Sequence, residues 1–283
     1  MPSNFPIVLP PEVVNAFRAQ GFVVTPDVLS TEDVAQYGAA IDQAVAARTA
    51  SDTRSISDKS TYEQSFLQCM RLCETDPGVV DLTFHEGLAG IAAQLLGVPS
   101  VNLWQDQALY KEPGGRETTA HQDQPFWPIG KAPLISAWIP LNVVDEGNGA
   151  MAYVPGSHLA GPLKVVDITH TSKPYDVVND PALKGESLQV VPVNPGSVIW
   201  HHGFTVHAAG ANRSDSVRRA FTVVYLSADA IRTKAWPAFP LDRARVGVGD
   251  RIEGEGLPRL WPPLATRPAP PVQKGAVTGP QGM

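Results

Sequence analysis

Near residue 100 the pattern of this chain changes. Before that point apolar residues recur at helical spacing. After it they come in short runs, at 101–110, 134–143, 150–154, 188–193, 197–201 and 219–226, separated by Gly, Pro, Asn and Asp. Strands at that spacing close into a sandwich or barrel, and the helical part must then pack around the outside. The expected fold class is therefore mainly β with flanking helices. One domain over 1–262 is expected, with a helical flank at about 10–97, a barrel at about 100–230 and a Pro/Gly-rich tail at 263–283.

Within the flank, Pro10-Pro11-Glu12 suits a first helical turn, with Val13, Val14 and Phe17 as its apolar stripe. A short strand, Gly21 to Thr25, follows. Ser30 with Asp33 reads as a capping pair opening a helix to about Ala47, with Val34, Tyr37, Ile41 and Val45 facing inward. Residues 51–60 read as a loop. Further helices are expected from Tyr62 to about Leu72 and from Glu86 to Leu96, the last stopped by Gly97 and Pro99. Cys69 and Cys73 would then share a packed helical face, since no other Cys or nearby His completes a metal site.

Composition excludes several function classes. With 43% hydrophobic and 18% charged residues, the chain can bury a sizeable core and is not disordered. A net charge of −6 with no Lys/Arg run argues against nucleic acid and against an anionic membrane surface as partners. No apolar run approaches a membrane span, and Met1 to Pro6 lacks a basic start before an apolar stretch. A cytoplasmic location and a small-molecule substrate are expected, and the sequence fixes no oligomeric state.

The chemistry gathers around His121 and Asp123, an H-x-D pair in Thr118 to Trp127. In an extended segment residues i and i+2 point the same way, so imidazole and carboxylate can meet one metal ion. A third ligand must come from His158, His170, His201, His202 or His207. His207 is followed by a turn-rich stretch and then Arg218, which predicts a hairpin with both residues on neighbouring strands. A cation near a metal on one wall suits a small dicarboxylate that chelates at one end and meets a guanidinium at the other. Two His and one carboxylate leave open metal positions, the facial triad of non-haem Fe(II) oxygenases.

On these grounds the sequence resembles the phytanoyl-CoA dioxygenase family of Fe(II)/2-oxoglutarate-dependent oxygenases. The resemblance spans about residues 10 to 230 and rests on four segments in order. They are Leu109 to Pro113 leading to Thr119-Ala-His-Gln-Asp123; Ser136 to Leu141 with Asp145 to Gly149; Val154 to His158; and His207 through Asn212 to Arg218. It implies a double-stranded β-helix (jelly-roll or cupin-like) barrel. It implies His121, Asp123 and His207 as catalytic iron ligands and Arg218 as the partner of the far carboxylate of 2-oxoglutarate. Fe(II), 2-oxoglutarate as cosubstrate and O2 are the implied cofactors. The implied reaction is hydroxylation of an unactivated C–H bond of a small metabolite or secondary-metabolite intermediate, with release of succinate and CO2. Relatives that halogenate leave the carboxylate position to a small residue, so Asp123 favours hydroxylation.

Further cosubstrate-binding positions follow from strand parity and the same resemblance. Thr119, two before His121, would face inward; Trp138 would wall the pocket; Gln107 and Lys111 would reach in from the preceding strand. Trp138 also reads as plain barrel core and Lys111 as a solvated strand end. Arg219 should face outward, and His158 belongs to a turn. His201 shares the face of His207 in an unbroken strand, whereas a bulge would bring in His202 instead. Substrate selection is expected from 160–187, 51–70 and the aromatics Trp104, Phe126 and Trp127. The alternatives are a cupin-type metal-dependent oxygenase that does not use 2-oxoglutarate, and a non-catalytic binding barrel.

Overall fold

A computed structural model describes residues 7–183 and 185–271. In chain order the elements are α1 (Pro11–Gln20), β1 (Phe22–Thr25), α2 (Thr31–Thr49), β2 (Leu67–Met70), α3 (Pro77–Thr83), α4 (Glu86–Leu96), β3 (Val101–Lys111), β4 (Thr118–His121), β5 (Leu134–Pro140), β6 (Met151–Tyr153), β7 (Gln189–Val191), β8 (Val198–His202), β9 (His207–Ala209), β10 (Arg218–Ser227), α5 (Phe239–Arg243) and β11 (Arg259–Trp261). Two antiparallel sheets form a double-stranded β-helix. The major sheet runs β1-β8-β5-β10-β3-β11 with β2 also on β3, and the minor sheet runs β4-β9-β6-β7. Residues of both sheets, such as Trp138 and Ile199 from one and Met151 and Tyr153 from the other, pack together between them.

The helices cover the outer face of the major sheet. Ile41, Val45, Leu88 and Ile91 from the helices join Ala108, Ala137, Ile139, Phe221 and Val223 from the strands in one core. Parity in the strands decides the rest: residues between those core positions, Gln107, Trp138 and Thr222, point into the barrel. The helix starts follow local rules. Ser30 and Asp33 form the expected capping box, and Gly21 ends α1 at φ 81, where a Cβ would meet the His158 ring. Arg219 faces outward as expected, paired with Asp42 of α2.

The stretch from Tyr62 to Leu72 is not a helix. β10 covers only one edge of the 11-residue β3, and Leu67–Met70 pairs with the other edge. Arg71 then turns at φ 54, and the buried carboxylate of Asp106 accepts the N–H groups of Leu72 at 2.7 Å and Cys73 at 3.3 Å. Those are bonds a helix would have made internally. Cys69 and Cys73 are accordingly buried on a strand and a 3-10 turn, and share no helical face. The short α3 was not anticipated, although Asp76 caps it and Pro77 opens it.

The sheet also extends beyond the expected barrel limits, because β1, β2 and β11 join it from outside 100–230. Of the expected tail, residues 263–271 include an exposed Arg267–Asp81 ion pair, and 272–283 lie outside the described residues. No helix among the described residues is long and apolar enough to cross a membrane.

One buried bond ties the first strand to the barrel. The indole N–H of Trp200 on β8 donates to Thr25 Oγ1 on β1 at 2.7 Å. Thr25→Val keeps the volume but leaves that N–H unpaired in the core, so it should cost about 1–3 kcal/mol in urea unfolding. An unchanged midpoint would show that the bond is not what holds β1.

Candidate active site

β4 and β9 are paired with His121 opposite His207, which brings their rings to 4.4 Å between centroids. His121 Nδ1 lies 2.7 Å from the Thr119 carbonyl, and His207 Nδ1 lies 3.0 Å from the Thr205 carbonyl. A carbonyl only accepts, so in the neutral imidazoles Nδ1 carries the proton and Nε2 presents a bare lone pair. Asp123 is not on an extended segment, since its φ of −71 and ψ of −50 are helical. A turn after β4, and not strand parity, carries Asp123 Oδ1 to 3.5 Å from His121 Nε2 and 3.6 Å from His207 Nε2. The three ligating atoms lie within 4.8 Å of one another. Three lone-pair atoms converging with no hydrogen between them fit a divalent cation, and two imidazoles with one carboxylate are the donor set of a facial triad.

Electrostatics favours the metal-ready forms. Burial pushes His207 down to about 3, so it is neutral at any ordinary pH. Burial opposes ionisation of Asp123, yet the carboxyl lies well below the usual range, with His201 Nε2 turned to its Oδ2 as a donor. His202 lies behind the site against His158, pushed down to about 4 by burial and then by the neighbouring imidazoles. β8 is unbroken here, so His201 is the one that faces Asp123, with Nε2 at 3.3 Å from Oδ2.

The far end of the cavity holds a cation. Arg218 is 2% exposed, its guanidinium lies 5.3 Å from the Trp138 ring, and its Nε and Nη1 have no hydrogen-bond partner. Trp138 Nε1 and Thr222 Oγ1 are likewise buried and unpaired. Burial draws Arg218 down only to about 10, so it stays charged at neutral pH. A buried, unpaired guanidinium is a costly feature unless an anion completes it. His207 and Arg218 do not share a hairpin as expected: β9 pairs with β4 and β6, and β10 with β3 and β5, so the two residues come from different sheets. Both nevertheless line one cavity of about 90 Å3, together with Asp123, Trp138 and Gln107.

Lys111 is fully buried and is no solvated strand end. It sits opposite Arg218 in the β3–β10 register, with Nζ on the Arg116 carbonyl and 3.4 Å from Thr118 Oγ1. Burial, then the charge of Arg218, pulls it down to about 7. The unfolded chain keeps this proton up to about 10.5 and the folded chain only to about 7, so the charged form penalises the fold below pH 7. Stability should therefore rise with pH between those values. Lys111→Met should remove that slope and stabilise the protein at pH 6.5 by up to about 5 kcal/mol, falling towards zero above pH 10. Denaturant midpoints at pH 6.5 and 9.5 test this, and parallel shifts at both pH values would refute it.

Thr119 does not face inward. The register slips between Thr118 and His121, so Thr118 lines the cavity while Thr119 Oγ1 meets His170 Nε2 at 2.9 Å. Trp104 packs with Trp127 and Ile129 in a separate cluster below, and only Phe126 and Trp127 of the three expected aromatics reach the cavity. The 51–70 segment supplies Tyr62, Phe66 and Gln68, and the long connection supplies Ile168. Thr222 was missed, although it lies four residues after Arg218 on the same strand face. Tyr153 and Ser136, which face the centre from β6 and β5, carry no sequence signal of their own.

Comparison with known proteins agrees with this geometry. The family model described as phytanoyl-CoA dioxygenase (PhyH) matches residues 17–220. A probable alpha-ketoglutarate-dependent hypophosphite dioxygenase of Stutzerimonas stutzeri is 32% identical over 166 residues, 55% of this chain and 54% of that protein. Phytanoyl-CoA dioxygenase domain-containing protein 1 of Mus musculus is 30% identical over 160 residues, 54% of each. The chain thus spans about half the length of the curated relatives it matches. Among solved structures, the non-heme alpha ketoglutarate dependent carbocyclase SnoK from nogalamycin biosynthesis superposes with a TM-score of 0.74 at 32% identity, over 89% of this chain and 96% of that one. The epimerase SnoN in complex with Fe3+, alpha ketoglutarate and nogalamycin RO gives a TM-score of 0.69 at 25% identity, over 88% and 97%.

Proposed function

The chain belongs to the phytanoyl-CoA dioxygenase family, and from that premise we propose that it is an Fe(II)/2-oxoglutarate-dependent dioxygenase that hydroxylates an unactivated C–H bond of a small, uncharged metabolite. The observation that carries this reading is Arg218: a buried guanidinium with two unpaired nitrogen atoms faces the same cavity as His121, Asp123 and His207. One end of the cavity suits a divalent metal and the other a carboxylate, which is the demand of a chelating dicarboxylate. His121, Asp123 and His207 would hold the iron, and Arg218 with Thr222 would hold the far carboxylate of 2-oxoglutarate. When bound, iron with 2-oxoglutarate and dioxygen supplies the oxidising chemistry, the cosubstrate leaving as succinate and CO2.

The chain's own groups do the rest. Trp138 flanks the guanidinium and closes the cavity behind it. Gln107 is oriented by Gln68, which donates from Nε2 to its Oε1 at 2.7 Å, so the Gln107 amide nitrogen is free to face the cavity. Tyr62, Phe66, Phe126, Trp127 and Ile168 add an apolar wall, which excludes water and orients a carbon skeleton by contact.

Among the described residues, the ionisable side chains lining the cavity are three histidines, Asp123, Arg218 and the phenol of Tyr62, which burial keeps protonated. An acyl-CoA would bring several phosphate charges with nothing there to meet them. The likeness to a carbocyclase and an epimerase from nogalamycin biosynthesis supports a secondary-metabolite intermediate instead.

Anaerobic titration of the protein with Fe(II) and 2-oxoglutarate tests the reading. A weak visible charge-transfer band should grow to one equivalent of each, and candidate substrates should then be ranked by succinate release. Bound iron without the band would move the assignment to an oxygenase that does not use 2-oxoglutarate.

A further inference from the structure

His201 stands beside the three candidate ligands, with its ring centroid 4.7 Å from that of His207. Its bonding differs from theirs in one respect. His121 and His207 each spend Nδ1 on a backbone carbonyl and leave Nε2 bare. His201 instead has Nε2 at 3.3 Å from Asp123 Oδ2 and Nδ1 at 3.3 Å from the Tyr153 hydroxyl. An ionised carboxylate oxygen can only accept, so the proton of a neutral His201 must be on Nε2. Nδ1 then holds a lone pair, and the Tyr153 hydroxyl donates to it. Tyr153 is fully buried and stacked on Phe22 at 4.7 Å, which fixes where that hydroxyl points. Ser136 Oγ adds a second donor to Asp123 Oδ2, at 3.3 Å.

We propose that Tyr153, His201 and Ser136 form a positioning relay that reserves Asp123 Oδ2 for hydrogen bonds and turns only Oδ1 toward the metal. His201 is then no fourth ligand. It keeps Asp123 monodentate, so that the position a second carboxylate oxygen would take stays open for the cosubstrate. This rests on the reading that His121, Asp123 and His207 bind the metal, and the geometry assigns His201 its place through hydrogen-bond polarity alone. Losing such an outer partner typically weakens metal binding about 10- to 100-fold.

The test uses the full chain with Co(II) as an oxygen-stable probe, its affinity read by competition with a chelating dye, in wild type, His201→Phe, His201→Gln and Tyr153→Phe. His201→Gln returns an N–H donor at similar reach but no imidazole lone pair. His201→Phe should lose about 10- to 100-fold in Co(II) affinity, while His201→Gln should stay within about threefold of wild type and Tyr153→Phe should fall between them. A second readout uses Fe(II) at saturation under anaerobic conditions. In His201→Phe the freed Oδ2 competes for the open position, so the 2-oxoglutarate needed for half of the charge-transfer band should rise about tenfold, an effect that general loss of stability does not produce.

Gln failing as badly as Phe would make His201 a ligand and overturn the relay. Phe binding Co(II) and 2-oxoglutarate as wild type does would overturn it as well. Wild type that binds neither metal would remove the triad reading itself, which separates the two failures.

Discussion

Arg218→Ala should raise the 2-oxoglutarate concentration that half-saturates the chelate by about 100- to 1,000-fold while leaving metal affinity within a few fold. The separation follows from the layout. Arg218 comes from β10 in the major sheet, whereas of the three proposed metal ligands His121 and His207 come from β4 and β9 in the minor sheet and Asp123 from the turn after β4. Removing the guanidinium therefore leaves the triad geometry untouched. Its effect on the carboxylate is large because the pair is fully desolvated, where truncating one partner costs about 2–5 kcal/mol. Arg218→Lys should recover only part of that, since an ammonium cannot offer two parallel donors to one carboxylate. The band titration gives both constants. A 2-oxoglutarate requirement unchanged in Arg218→Ala would refute the assignment of this end of the cavity, and a lost metal site would show that Arg218 supports the triad.

How much of this was legible in the sequence depends on which force set each feature. The strands from 101 to 226 and the capped helices were readable because period and punctuation are local: alternation, Gly and Pro breaks, and the Ser30–Asp33 box act within a few residues. The stretch around Leu67 was not, because its conformation is set by an open edge of β3 some 40 residues later and by the Asp106 carboxylate that takes its N–H groups. The same holds for His207 and Arg218, whose spacing looks like a hairpin. Here Gly149, at φ 95 and with a Cβ position 2.8 Å from the Gly210 carbonyl, brings a segment some 60 residues earlier against the stretch after β9, a contact that local composition does not specify. The proposed site does not hinge on those features, since His121, Asp123, His207 and Arg218 line one cavity. His121, Asp123, His207 and Arg218 converge by position in an ordered series of segments, and their roles do not depend on which strands are neighbours. Thr119 and Thr222 show the limit: one slipped register exchanges Thr119 for Thr118, while plain alternation from Arg218 would have found Thr222.

Asp123→Ala should abolish metal-dependent stabilisation altogether. Asp123 is the one anion among the three groups that could hold the ion, since His207 is neutral by burial and both Nε2 atoms are uncharged donors. Without it a divalent cation would have to enter a cavity that already holds the charge of Arg218. If a structural site of four ligands binds zinc with about 10–16 kcal/mol, each ligand carries roughly 2.5–4 kcal/mol, so the loss should be about 70- to 900-fold. The apo-protein is a poor readout, because the variant also leaves the donors of His201 and Ser136 to water. The difference in Tm with and without metal, taken within each variant, removes that background. For wild type, Fe(II) or Co(II) at a hundred times Kd adds about 2.7 kcal/mol, a rise of about 5 °C for a chain of this size. Asp123→Ala should show no rise at the same concentration, and His121→Ala and His207→Ala smaller rises than wild type. A full rise in Asp123→Ala would mean that the ion binds elsewhere, and the facial triad would have to be abandoned.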